Sequence, residues 1–125
     1  MLDIFIVGIG GFIGAILRYI LAGLIQDNLE FPLGTLSVNV IGSFLISLVM
    51  HLSELEGLFS AETRLFLTVG VIASFTTMST FSYELFKLFE EKETFLMIMY
   101  LLGNILVSFF AVYLGRITVL VVWRR

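Results

Sequence analysis

Four apolar stretches, each long enough to cross a bilayer, decide what this chain can become. A membrane-spanning helix needs about 20 predominantly apolar residues. The expected spans run over residues 4–25, 33–52, 62–89 and 94–122, joined by short polar segments. Of the 125 residues 59% are hydrophobic and only 14% charged, against about 25% charged in soluble domains. The chain reads as an all-α integral membrane protein: one four-helix transmembrane domain over residues 1–125, with no separate soluble module. Asp3 precedes the first run and no A-x-A site follows it, so that run is expected to stay as a helix rather than be removed as a signal. Cysteine is absent, which excludes disulfides, thiolate metal sites and thiol nucleophiles. A net charge of −3 without a basic patch argues against nucleic acid as a partner.

The connecting segments set the orientation. Asp27, Asn28 and Glu30 form a polar loop closed by Pro32, the only proline, where a helix would begin. Residues 53–62 form an acidic loop, with Ser60 placed to cap the next helix and Glu62 in its first turn. Glu90, Glu91, Lys92 and Glu93 make a charged turn, and Trp123 beside Arg124 and Arg125 reads as an interfacial anchor. Four spans put both termini on one side. That side carries Arg64, Arg124 and Arg125, with Arg116 somewhat inside; the other carries Lys87 and Lys92, with Arg18 somewhat inside. Orientation follows the Lys and Arg asymmetry of short loops, and here it is nearly absent. The chain is expected to insert both ways up, which permits an antiparallel, dual-topology homodimer. The alternative is an orientation fixed by something outside the charge count, such as insertion with a partner.

The third stretch is crowded with hydroxyls: residues 74–82 read S-F-T-T-M-S-T-F-S. Such side chains compete for backbone hydrogen bonds inside a helix. Two readings stand. The helix is broken near 74–79, its freed backbone facing protein, water or an ion, or it is continuous and the hydroxyls bond back to their own carbonyls. Elsewhere, Gly10-x-x-x-Gly14 and Gly11-x-x-x-Ala15, with Gly8 nearby, read as close-packing helix surfaces. A dinucleotide loop is excluded, because the spacing is G-x-G-x-x-x-G with no acidic partner after a strand.

Polar residues inside the spans suggest a path. Arg18 either snorkels to the interface or lines a vestibule that concentrates anions. Thr35, Asn39, Gly42 and Ser43 share a face of the second span, and Tyr100, Asn104 and Ser108, each four apart, share one on the fourth. Asn39 taken alone reads as interhelical glue. Glu84 is the acid clearly inside a span, as a proton carrier, a pore-lining group or a partner for Lys87. Neutral donors in an apolar bundle suit a small, strongly hydrated anion better than a metal cation. Thirteen phenylalanines add electropositive ring edges, although most of them belong to lipid and core.

Gly10 to Tyr19 (G-G-F-I-G-A-I-L-R-Y), Gly34 to Phe44 (G-T-L-S-V-N-V-I-G-S-F) and Thr76 to Ser82 (T-T-M-S-T-F-S) resemble the Fluc/CrcB fluoride channels, over essentially the whole chain and in order. The resemblance implies an antiparallel dual-topology homodimer with two pores that passively lowers cytoplasmic fluoride, in the cell's inner (plasma) membrane. It implies a structural sodium ion at the dimer centre, held by the backbone carbonyls of Ala73 and Thr76 and not transported. It puts Asn39, Thr35, Met78, Ser79, Thr80, Phe81, Glu84, Tyr100 and Ser108 along the fluoride path, with Arg18 near the vestibule. Met78 stands where the family usually has phenylalanine; it fills the space but lacks the ring edge. Ala73 and Ser74 stand where many relatives have glycine, which leaves carbonyl ligation unaffected.

The rival is a small dual-topology, proton-coupled exporter of the small multidrug resistance type. It would need a membrane acid in the first span, and there is none between Asp3 and Asp27. A purely structural subunit would leave the polar faces without a purpose. An enzyme is not expected, since His51 is the only histidine and no nucleophile–base pair is visible.

Overall fold

The computed structural model describes residues 1–26 and 30–123. Asp27 and Asn28 of the first loop, and Arg124 and Arg125 of the terminal anchor, lie outside the described residues. The helices are α1 (Leu2–Ile25), α2 (Leu33–Glu56), α3 (61–75), α4 (Met78–Glu90) and α5 (Thr94–Trp123). α3 and α4 follow one another within the third span, and each of the four spans is long and apolar enough to cross a membrane. No strand occurs among the described residues. The chain is a multi-pass membrane protein.

The helix ends follow capping chemistry rather than the edges of hydrophobicity. α2 runs past the expected end at residue 52, into the polar segment as far as Glu56. Gly57 stops it in the left-handed region, at φ 62 and ψ 23. Its N–H bonds the Ser53 carbonyl at 3.2 Å and the Leu58 N–H reaches the Leu52 carbonyl at 3.5 Å, the paired bonds of a glycine-terminated helix. Apolar content marks where a helix meets lipid; the glycine marks where it can end. Ser60 starts α3, its Oγ accepting from the Thr63 N–H at 3.2 Å. Pro32 precedes the first turn of α2, where its missing N–H is not needed.

Small residues decide which helices touch. In lipid there is little hydrophobic gain in bringing two apolar helices together, so close backbone contact carries the association. A Cβ on Gly10 would lie 2.8 Å from both the Gly70 Cα and the Phe66 carbonyl oxygen, so α1 and α3 meet backbone to backbone. Gly14, one turn on, faces the Val71 carbonyl. Gly115 of α5 does the same against α2, 2.8 Å from the Phe44 carbonyl. There the buried Ser47 donates to the Val112 carbonyl at 2.6 Å, an interhelical hydrogen bond. Gly8 has open space around it within the single chain.

The buried core is small. It centres on Tyr100, Phe81 and Leu88, joining α5 to α4, with Phe31 edge-on to Tyr100 at 5.6 Å. Large apolar side chains elsewhere, among them Phe12, Phe95 and Phe109, face outward, as suits contact with lipid or a second subunit. Replacing Gly10 by leucine is expected to pry α1 from α3 and to destabilise the protein by about 1–3 kcal/mol, the usual cost of overpacking. Gly8→Leu is expected to be near neutral. Thermal unfolding in detergent, followed by size-exclusion fluorescence, compares the two.

Candidate functional site

Two residues of the third span leave helical geometry. The helical ladder of α3 ends at Phe75; Thr76 (φ −85, ψ 162) and Thr77 (φ −150, ψ 116) are extended, and α4 begins at Met78. Backbone groups freed in this way need partners at membrane depth. The Thr77 N–H donates to Asn39 Oδ1 at 2.9 Å, and Asn39 Nδ2 donates back to the Thr77 carbonyl at 3.2 Å. One side-chain amide thus serves both polar groups of one residue. Asn39 Nδ2 also donates to Asn104 Oδ1 at 3.0 Å, tying α2 to α5. Thr77 then caps α4: its Oγ1 accepts from the Thr80 N–H at 3.2 Å. The neighbouring hydroxyls divide their work. Thr76 and Ser82 bond back to the Ile72 and Met78 carbonyls on their own helices, while Thr77 serves the new helix.

Wide π-helical turns flank this region, at Phe66–Ile72 in α3 and Gly103–Val107 in α5. Residues four apart overshoot a full α-turn of 3.6 residues and fall short of a full π-turn. Mixing the two turns offsets the drift and keeps Tyr100, Asn104 and Ser108 on one face of α5.

Two open grooves meet at Thr77, which lines both. The first, about 430 Å³, is lined by Arg18, Thr35, Thr80 and Glu84 among others. The second, about 550 Å³, is lined by Asn39, Met78, Phe81, Asn104 and Ser108, with Ala73 and Thr76 at its edge. Among the described residues the second groove has no charged lining side chain. Its one orphan is Ser108: the hydroxyl is buried and has no hydrogen-bond partner. A buried polar atom without a partner calls for a water or an ion.

The residues predicted from sequence divide accordingly. Asn39, Met78, Phe81, Ser108, Ala73 and Thr76 converge on the second groove, and Arg18, Thr35, Thr80 and Glu84 on the first. Ser79 and Tyr100 line neither. Ser79 is exposed, with its Oγ 3.4 Å from Thr77 Oγ1. Tyr100 is fully buried and works from behind: its hydroxyl donates to Glu84 Oε2 at 2.6 Å and its ring packs on Phe81 at 5.2 Å. Lys87, weighed as a partner for Glu84, pairs with Glu91 at 3.7 Å instead, and Glu84 takes the Tyr100 hydroxyl, a pairing not foreseen from sequence. Met78 is 72% exposed in the single chain and Phe81 only 5%. Thr77 and Asn104 were not among the predicted site residues. Asn104 was visible as the middle member of the four-apart polar face; the capping role of Thr77 had no signal, because nothing in the sequence says which of six neighbouring hydroxyls starts a helix.

The backbone near the interruption fits a hard cation. The Thr77 N–H, which would close the ladder on the Ala73 carbonyl, goes to Asn39 instead. The Thr76 carbonyl follows an extended residue. Both oxygens are therefore released from the α-ladder, and oxygen ligands are what hard cations take. Among the described residues no three carboxylate or imidazole groups gather to hold a metal, so carbonyls are the donor set on offer.

The family model described as CrcB-like protein, Camphor Resistance (CrcB), matches residues 5–116. The fluoride-specific ion channel FluC 1 of Methanosarcina acetivorans is 54% identical over 121 residues, covering 96% of this chain and 92% of that protein. FluC 3 of Methanosarcina barkeri is 51% identical over 93% of this chain and 89% of its own length. FluC of Thermus thermophilus is 46% identical over 88% of this chain and 89% of its own length. The match spans all four helices and both grooves, and the chain belongs to the CrcB family.

Proposed function

We propose that this protein is a fluoride-selective passive channel that lowers cytoplasmic fluoride. The observation that carries the reading is the buried, unpartnered Ser108 hydroxyl in a groove with no charged lining side chain among the described residues. Relatives at up to 54% identity bear the name fluoride-specific ion channel. Fluoride is compact and strongly hydrated, so a path for it needs short-range donors that replace water. The Ser108 O–H is one. The first N–H groups of α4, beyond the Thr77 cap, are others, and they carry the partial positive charge of a helix N-terminus. The Phe81 ring edge adds a weaker attraction. All are neutral, which lets an ion bind without being trapped, as conduction requires. Arg18, at the first groove, raises the local anion concentration. Glu84 is held aside by the Tyr100 hydroxyl.

The working unit is an antiparallel, dual-topology homodimer in the inner (plasma) membrane. The two grooves of each chain meet at Thr77 and are open on one side; a second copy closes them into one continuous path per chain, giving two pores per dimer. The near-equal distribution of Lys and Arg supports insertion in both orientations. The interruption at Thr76–Thr77 faces its counterpart across the two-fold axis. The Ala73 and Thr76 carbonyls of both copies would hold a sodium ion, whose charge offsets the released carbonyl dipoles; it is structural and not transported.

Reconstituted protein is expected to release fluoride from liposomes without a proton gradient and to exclude chloride. Equal passage of both ions, or a need for the gradient that a proton-coupled exporter requires, overturns the reading. Asn39→Asp turns the Nδ2 donor into an oxygen facing the Thr77 carbonyl and Asn104 Oδ1. Fluoride efflux is expected to fall by roughly two orders of magnitude, the effect of leaving two buried bonds unmade. Dual topology is read from Lys92→Cys, since the native chain has no cysteine. Membrane-impermeant maleimide added outside sealed vesicles is expected to label about half the molecules, and labelling of all or none overturns it.

A further inference from the structure

Asn39 and Asn104 fix each other's orientation. The Thr77 N–H can only donate, so the Asn39 atom facing it at 2.9 Å is oxygen. Asn39 Nδ2 then faces two acceptors, the Thr77 carbonyl at 3.2 Å and Asn104 Oδ1 at 3.0 Å, and both of its hydrogens are used. Because Asn104 presents oxygen to Asn39, its own Nδ2 turns to the Tyr100 carbonyl, 3.3 Å away on its own helix. Flipping either amide sets donor against donor and acceptor against acceptor. Asn104 is 6% exposed, so water is a poor substitute for either partner. Among the described residues its hydrogen bonds run to Asn39 and Tyr100, and none runs to the interruption at Thr76–Thr77.

We propose that Asn104 is a positioning residue for conduction: by holding the Asn39 amide in one orientation it holds the Thr77 peptide extended and α4 at its starting point. This rests on the reading of the chain as a fluoride channel. It also changes the role of Asn39. With both Nδ2 hydrogens committed, Asn39 has no donor left for a passing anion and acts as scaffold, leaving the ion to Ser108 and the start of α4.

The test reads Thr77 at a distance. Hydrogen exchange of the Thr77 backbone amide is followed by NMR in the full-length protein, alongside fluoride efflux from liposomes. Asn104→Ala is expected to speed Thr77 exchange on the order of tenfold, as expected from weakening one buried hydrogen bond. Amides in the middle of α2 and α5 should keep their wild-type protection, and fluoride efflux should fall by a similar factor. Leu106→Ala, on the same π-helical segment but 60% exposed, is expected to change neither. Should Asn104→Ala fail to fold, Asn104→Ser carries the same test, because its shorter side chain can bond back to Tyr100 but not reach Asn39. Unchanged exchange at Thr77, or a uniform rise along all helices, overturns the positioning role. Faster Thr77 exchange with full fluoride efflux overturns its bearing on conduction. Wild-type protein that passes no fluoride overturns the channel reading itself, and the exchange result still decides whether Asn104 positions Thr77.

Discussion

The pairing of the Asn39 amide with both polar groups of Thr77 is the contact on which the rest of this molecule depends. An interrupted helix at membrane depth exposes N–H and C=O groups that lipid cannot satisfy, at a cost of several kcal/mol for each. A side-chain amide carries a donor and an acceptor side by side and can stand in for the missing backbone. With Asn39 in place, Thr77 is free to cap α4 and the Ala73 carbonyl is released from the ladder. Hydrophobic burial cannot do this work, because an apolar side chain at position 39 would offer Thr77 neither a donor nor an acceptor.

Close helix packing makes that contact possible. Gly42 lies against Thr76 so closely that any Cβ there would collide with the Thr76 side chain. This lets α2 approach the interruption and brings Asn39, one turn earlier, within reach of Thr77. Gly10 and Gly14 similarly let α1 lie along α3. Small residues thus do two things here: they hold the bundle together where lipid offers no hydrophobic incentive, and they set the separations that polar side chains have to bridge.

The sequence made the architecture legible because its signals are periodic and local. Apolar runs of about 20 residues give spans, the Gly10-x-x-x-Gly14 spacing marked a packing row that the structure uses, and Ser60 was recognisable as a cap. The end of α2 was placed a turn early because hydropathy falls at Ser53, whereas the helix is stopped by the conformation of Gly57. The site was legible as residues and not as connections. Asn39, Glu84 and Tyr100 stood out as polar groups in apolar helices, but their partners are 38 and 16 residues away, respectively, for Asn39 and for the Glu84–Tyr100 pair. Single-sequence patterns carry no information on such long-range partners. Asn39 was read alone as glue and by resemblance as part of the path. The geometry shows the glue in atomic detail, directed at the Thr77 backbone.

Selectivity in such a design follows from what is left unpaired. Asn39, Thr77 and Tyr100 spend their side-chain donors on protein partners, and Asn104 spends one of its two on the Tyr100 carbonyl. The second groove keeps the Ser108 hydroxyl, the Ser43 hydroxyl and the first turn of α4, bordered by Met78 and Phe81. A carboxylate in that groove would repel an anion, and an ammonium or guanidinium would hold it too tightly to release; the charged groups stand instead at the first groove, where Arg18 and Glu84 are. Met78 supplies an apolar wall without the electropositive edge of an aromatic ring. On the proposed channel reading the anion's partners at that point are hydroxyl and backbone donors, whose short reach favours a small ion over a large one. On the proposed channel reading, the scaffold that commits Asn39 leaves the discrimination to the hydroxyls of the second groove and the start of α4.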